Sequence, residues 1–127
     1  MPIKKIIHTD HAPKAVGPYS QAVMIGDFLF CSGQISIDPK TQDVFTGAIV
    51  KQTEMVLNNI EAVLSQADLD FSNVVKTTIF LTNMSDFATV NEIYAQKFKD
   101  DAPARSTVAV AGLPKGVNVE IEVIAHK

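Results

Sequence analysis

The alternating run from Val117 to His126 constrains the fold more than any other stretch of the chain. Valine, isoleucine and alanine hold positions 117, 119, 121, 123 and 125, whereas Asn118, Glu120 and Glu122 lie between them. Period-two alternation predicts a β-strand with one face against a core. Because carboxylates are costly inside an apolar layer, the other face must be solvated or must hold a polar site.

Five further runs predict β-strands. Two of them flank Gly26-Asp27, and a two-residue connection that contains glycine is typical of a β-hairpin. With the alternating run included, the predicted strands are Ile3–His8, Ala22–Ile25, Phe28–Ser32, Val74–Leu81, Ser106–Ala111 and Val117–His126.

Apolar residues at helical spacing predict two helices. The first runs from about Ile49 to Ala67. The second is capped by Ser85 or Asp86. One side of it carries Phe87, Val90, Asn91, Tyr94 and Phe98. The order β-β-β-α-β-α-β-β predicts one α+β domain over residues 1–127, in which both helices back one face of a single sheet.

The strand over residues 74–81 predicts that the second face of the sheet is also covered. Val75, Thr77, Ile79 and Leu81 share one parity, and Phe80 lies on the other, so both faces carry apolar groups. Since the helices occupy one face, another copy of the chain is the simplest cover for the second, which favours an oligomer.

Charge and hydropathy exclude several classes of protein. The net charge is −3, and the 11 Lys and Arg residues are scattered, which argues against nucleic-acid binding. No segment reaches the roughly 18 apolar residues of a membrane span, and the first residues lack the pattern of a secretory signal. We therefore expect a soluble, cytoplasmic protein.

Cysteine and histidine give no support for a metal or a reactive thiol. Cys31 is the single cysteine and lies in an apolar run, so we expect a small buried strand residue. His8, His11 and His126 have no metal-ligand spacing, and phosphate-binding loops and nucleophile elbows are absent from the sequence.

Polar residues gather where predicted strands begin or end. Tyr19 precedes one strand, Ser32 and Gly33 close another, and Arg105 opens the strand before the run that contains Glu120. Taken singly, they fit turns and solvated strand ends. Together they suit a small anion and a water molecule, because Arg grips a carboxylate with a planar fork of donors and Glu can relay a proton.

The chain also resembles a known family along nearly its whole length. The matching segments are Gly17-Pro18-Tyr19-Ser20-Gln21-Ala22, Cys31-Ser32-Gly33-Gln34-Ile35, Val75-Lys76-Thr77-Thr78, Phe87-Ala88-Thr89-Val90-Asn91, Pro103-Ala104-Arg105-Ser106, Leu113-Pro114-Lys115-Gly116 and Val119-Glu120-Ile121-Glu122. In this order they resemble the RidA/YjgF family of reactive-intermediate (enamine/imine) deaminases.

The resemblance implies a chorismate-mutase-like α+β fold and a homotrimer with sites in clefts between subunits. It implies hydrolysis of 2-imino acids and their enamine tautomers to 2-keto acids and ammonium. The substrates would be 2-iminobutanoate and 2-iminopropanoate or 2-aminoacrylate, and no cofactor would be needed.

The same resemblance assigns two catalytic roles. Arg105 would bind the substrate carboxylate, and Glu120 would position the attacking water and move protons. A simple hairpin centred on Pro114 would set Arg105 opposite Val123 and Glu120 opposite Val108, which puts the pair on opposite faces. A bulge, another loop register or a subunit boundary could bring them together, and the sequence leaves these open.

Five further residues receive binding roles by resemblance. Tyr19, Ser32 and Asn91 would line the pocket, while main-chain groups at Gly33 and Thr107 would supply polar contacts. Many members of the family have Cys at the position of Thr107, so a thiol role cannot apply here, whereas a main-chain role can.

Two other functions compete with deamination. A non-catalytic trimer that binds small carboxylates or regulates partners would use Arg105 equally well, but it has no evident use for an acid/base group such as Glu120. Endoribonuclease activity, attached to some relatives, is disfavoured by the acidic charge balance and by the lack of a basic, aromatic-interleaved patch.

Overall fold

The computed structural model describes residues 3–127, which form a six-stranded mixed sheet with two helices on one face. The elements are β1 (Lys5–Ile7), β2 (Ala22–Ile25), β3 (Phe28–Cys31), α1 (Ile49–Gln66), β4 (Val74–Leu81), α2 (Phe87–Ala95), β5 (Ala104–Ala109) and β6 (Val119–His126). Their order in the sheet is β1-β2-β3-β6-β4-β5. The predicted α+β class and element order are confirmed.

The last two strands do not pair with each other, so the simple hairpin considered above does not form. β4 lies between β5 and β6, pairing in parallel with β5 and antiparallel with β6. The connecting residues 110–118 pass the end of β4, where the Val110 N–H donates to the Leu81 carbonyl (2.8 Å) and the Thr82 N–H donates to the Asn118 carbonyl (3.2 Å). Both edges of this eight-residue strand are thereby satisfied, which a hairpin would not achieve.

A β-bulge changes the predicted parity at the start of β4. The register with β6 shifts between Val74 and Lys76, so Val75 is turned outward and is 45% exposed. Val74 takes the core position that the alternation had assigned to Val75. The remaining core residues of the strand follow the prediction, since Thr77, Ile79 and Leu81 are all fully buried.

The second helix is entered through a short turn instead of a direct cap. Residues Met84–Asp86 form a 3₁₀ turn, and the Asn83 side chain accepts from the Ser85 N–H (2.9 Å). Asp86 occupies the N-cap position of α2, as predicted, but its side chain makes no capping hydrogen bond; Asn83 caps the preceding turn instead.

The core lies between the helices and one face of the sheet. Val56, Ile60 and Leu64 of α1 are buried against Val119 and Ile121 of β6, as the two periodicities predict. In residues 3–127, neither helix is long and apolar enough to cross a membrane.

The opposite sheet face has no helix packed on it within residues 3–127. Four large apolar side chains there are 41–51% exposed, namely Ile6, Phe28, Phe30 and Val108. Glu120 and Glu122 project from this face as the alternation predicts, because their neighbours on β6 are buried toward the helices. We call it the open face.

Candidate functional site

Four predicted site residues line one cavity at the end of the open face. Its volume is about 540 Å³, and its walls include Tyr19, Ser32, Gly33 and Glu120. Loop segments before β2 and after β3 form one side of the cavity, and β6 forms the other. These four are among the seven residues to which the sequence analysis gave site roles.

A second bulge shapes the wall beside Glu120. Phe30 lies opposite Ile124, whereas Gln34 lies opposite Ile121, so four steps along one segment match three along the other. The extra residue turns the main chain around Gly33 toward the cavity. Within residues 3–127, the Gly33 N–H has no acceptor and is free to bind a ligand.

Gly33 leaves room for the Glu120 carboxyl group. A β-carbon at position 33 would overlap the Glu120 carboxyl group, with its carboxyl carbon only 2.8 Å away. Position 33 does not have a left-handed backbone, so the constraint is steric. The group that comes close to the main chain at Gly33 is thus the carboxyl group of Glu120, and the Gly33 N–H remains available to a ligand.

Burial raises the pKa of Glu120, and the nearby charge of Glu122 raises it further. The carboxyl group is half-buried and has no basic partner within 4 Å among the residues described. A carboxyl group whose proton is held more tightly than usual is suited to exchanging that proton with a bound water or substrate.

Tyr19 and Ser32 are held by the main chain of the loop before β2. The Tyr19 N–H donates to the Gly17 carbonyl (2.9 Å), and Gly17 has a φ of +114° that favours glycine. The Ser32 hydroxyl donates to the Ser20 carbonyl (2.6 Å), which leaves its lone pairs to accept from a ligand. The Tyr19 side chain is 54% exposed and available for contact.

Gln21 fixes this loop, and the sequence analysis did not identify its role. The buried amide donates to the carbonyls of Thr9 (3.0 Å) and Pro13 (2.8 Å) and accepts from the Thr9 N–H (2.7 Å). Its one sequence signal is a polar residue directly before an apolar strand. Such a position is buried only when local main-chain groups satisfy the amide.

The other three predicted residues lie on the helix side of the sheet. Arg105 lies opposite Thr77, whose buried hydroxyl shares a hydrogen bond with Tyr94 (2.7 Å), and Thr107 lies opposite Ile79. These partners on β4 face the core. Arg105 and Thr107 therefore project toward α2, away from the open face.

A side-chain cluster orients the Arg105 guanidinium. Its Nη1 donates to Asn91 Oδ1 (2.6 Å), and its central carbon lies 5.3 Å from the Phe87 ring centroid and 5.0 Å from that of Tyr94. Hydrogen bonding and cation–π contact hold the planar group while it stays exposed. The sequence placed Phe87, Asn91 and Tyr94 on one helix side without showing that they surround Arg105.

One chain therefore keeps the two predicted catalytic residues apart. Arg105 is on the helix side of the edge strand β5, and Glu120 is on the open face of β6 opposite Phe80. Of the alternatives that the sequence left open, neither a bulge nor a different loop register brings the two residues together within one chain. Their meeting across a subunit boundary stays a prediction.

Cys31 has no chemical role in this arrangement. Its side chain is buried, and burial raises the pKa of the thiol to about 12, so it stays protonated at neutral pH. The prediction of a small buried strand residue is confirmed.

Known proteins of similar sequence and structure match nearly the whole length of this chain. Human 2-iminobutanoate/2-iminopropanoate deaminase is 46% identical over 123 residues, which cover 97% of this chain and 90% of that protein. YyfA of Yersinia pestis, a protein of unknown function in the conserved Rid protein family, has a TM-score of 0.96 and 53% identity, with 98% of this chain and 100% of that chain covered.

A third relative was solved with an amino acid. E. coli TdcF with bound serine has a TM-score of 0.92 and 43% identity, with 97% of this chain and 98% of that chain covered. The family model described as Endoribonuclease L-PSP matches residues 9–127. Together with the Rid relatives, this match shows that the chain belongs to the RidA/YjgF family.

Proposed function

We propose that the protein is a deaminase that hydrolyses 2-imino acids and their enamine tautomers to 2-keto acids and ammonium. The observation that carries the proposal is the placement of Glu120, whose raised pKa and half-buried carboxyl group face a cavity beside the free Gly33 N–H. A protein that only binds carboxylates has no evident need for such a group.

Arg105 would anchor the substrate through its carboxylate. The guanidinium is already oriented by Asn91 and by the rings of Phe87 and Tyr94, so little side-chain freedom remains to be lost on binding. An imino acid and serine share this carboxylate, which agrees with the serine bound to the E. coli relative.

Glu120 would act as the acid/base group in an ordinary hydrolysis. As a carboxylate it takes a proton from water while the water oxygen attacks the C=N carbon, which forms a carbinolamine. It then returns that proton to nitrogen. The C–N bond breaks as the carbinolamine hydroxyl becomes the carbonyl, and Glu120 takes the hydroxyl proton and passes it to the released ammonia, which gives ammonium. The iminium and water are consumed, and a 2-keto acid and ammonium are released, without a change of oxidation state.

We also propose that the working form is a homotrimer with sites between subunits. The open face carries large exposed apolar residues that a second copy could cover, and Arg105 and Glu120 lie on opposite faces of one sheet. An intersubunit cleft would join the Arg105 cluster of one protomer to the Glu120 cavity of its neighbour.

Human 2-iminobutanoate/2-iminopropanoate deaminase supports the choice of substrates. We infer that 2-iminobutanoate and 2-iminopropanoate, with its enamine 2-aminoacrylate, are hydrolysed. The test generates 2-iminobutanoate in situ with threonine dehydratase and traps residual imine with semicarbazide. We expect catalytic amounts of protein to suppress the trapped product.

Glu120→Gln is the informative variant in this assay. We expect it to bind substrate and to lose about 100-fold or more in turnover, because the amide cannot accept the proton. Glu61→Gln removes an exposed carboxylate on α1 and should leave turnover unchanged. If stoichiometric wild-type protein does not suppress the trapped imine, the deaminase proposal is wrong and a carboxylate-binding protein is the better account.

A further inference from the structure

Glu120 is not alone on its wall of the cavity. Glu122 lies two positions along β6, projects to the same open face and lines the same cavity. Two residues along a strand correspond to about 6.6 Å between the side-chain origins. The two carboxyl groups are close enough to interact through their charges.

The environments of the two carboxyl groups differ. Glu120 is half-buried against Gly33, whereas Glu122 is exposed and has no basic group within 4 Å among residues 3–127. Lys76, which adjoins Glu122 on the open face, donates to the Ser106 hydroxyl (2.9 Å) on β5. The charge of Glu122 is therefore not neutralised by an ion pair. The other titratable side chains that line this cavity or the one adjoining it are Lys14, Tyr19, Cys31, Lys76 and Lys115.

We propose that Glu122 is a positioning residue that acts through Glu120 by placing a second carboxyl group on the same wall of the cavity, two residues away on the same face of β6. This inference rests on the proposed function for its catalytic meaning. The unequal burial of the two side chains divides the roles, because the more buried carboxyl group is the one that holds its proton more tightly.

The direct test follows the Glu120 carboxyl carbon by NMR in protein labelled with [δ-¹³C]glutamate. The chain has five glutamates, and the spectrum of Glu120→Gln identifies the signal. We expect Glu122→Gln to move the midpoint of the Glu120 titration to lower pH, since loss of a like charge makes the carboxylate easier to form. Glu61→Gln removes the same charge far away and should not move it.

The kinetic test uses the pH profile of imine hydrolysis. If Glu120 acts as a carboxylate, the acid limb of kcat/KM reports its titration, so Glu122→Gln should raise kcat/KM on that limb roughly threefold and leave the plateau unchanged. Glu122→Asp should restore most of the wild-type profile.

The two readouts separate failure of this inference from failure of the proposed function. A Glu120 titration that Glu122→Gln does not move overturns the coupling, whatever the protein hydrolyses. If Glu122→Gln moves the Glu120 titration but the wild-type protein has no deaminase activity, the coupling is supported and the proposed reaction is wrong. If Glu122→Gln moves the Glu120 titration but leaves the acid limb of the kcat/KM profile unchanged, Glu122 has no role in turnover.

Discussion

The Glu120 cavity and the Arg105 cluster are built in different ways. Around Glu120 the main chain shapes the site, through the bulge at Gly33 and through the loop that Gln21 holds. Around Arg105 the side chains of α2 do so, with Asn91 and two rings positioning the guanidinium. The comparison teaches that an acid/base group is tuned by packing that desolvates it, whereas an anchor on an edge strand can remain exposed when side chains of a neighbouring helix orient it.

The largest expected effect is on the Glu120 side. Gly33→Ala would place a methyl group where the Glu120 carboxyl group lies, so the carboxyl group or the bulge must move. We expect a loss of about 100-fold or more in kcat/KM, since small displacements of catalytic groups have costs of this size. Steady-state kinetics of imine hydrolysis measure it.

Gly112→Ala is the matched control for that change. An added β-carbon at Gly112 meets no atom within 4 Å, and the position has no left-handed backbone. It should therefore retain activity. Wild-type kinetics in Gly33→Ala would show that the contact between Gly33 and Glu120 has no functional importance.

The next effect is on the Arg105 side. Arg105→Lys keeps the charge but loses the planar fork and its stacking on Phe87 and Tyr94, so we expect KM to rise about 10- to 100-fold with a smaller change in kcat. Lys97→Arg, an exposed change beyond α2, serves as the comparison. An unchanged KM in Arg105→Lys would show that Arg105 does not bind the substrate carboxylate.

The smallest effect on turnover is expected at Gln21. Gln21→Leu leaves the Thr9 N–H and several carbonyls without their partner, so we expect a loss of about 1–3 kcal/mol in the free energy of unfolding. Chemical denaturation measures this loss, and the exposed Gln96→Leu should cost much less. Equal stability of the two variants would show that the loop is held mainly by other contacts.

Periodicity predicted most of the fold. The alternation in β6 and the spacing in α1 identified the core faces, because burial of one face determines which positions must be apolar. The order of strands in the sheet was not predictable in the same way. β5 and β6 are neighbours in sequence, but β4 lies between them in the sheet, and that choice depends on contacts distant in the chain.

Sequence reasoning could name candidate site residues but not all of the contacts between them. Residue chemistry singled out Arg105 and Glu120 as the groups able to bind an anion and move a proton, with Tyr19, Ser32 and Gly33 beside them. The family resemblance added Asn91 and Thr107. The sequence could not show that Gly33 packs on Glu120, because this contact arises from one extra residue in a bulge. Bulges leave little trace in hydrophobic patterns.

The separation of Arg105 and Glu120 by the thickness of one sheet has a genetic consequence under the proposed assembly. Each polypeptide would contribute half of two different sites and complete neither alone. Two copies that carry separate lesions, one at each residue, would then regenerate some intact sites when they assemble together, although each copy is inactive by itself. Recessive damage at either position could be masked in a cell that makes both forms.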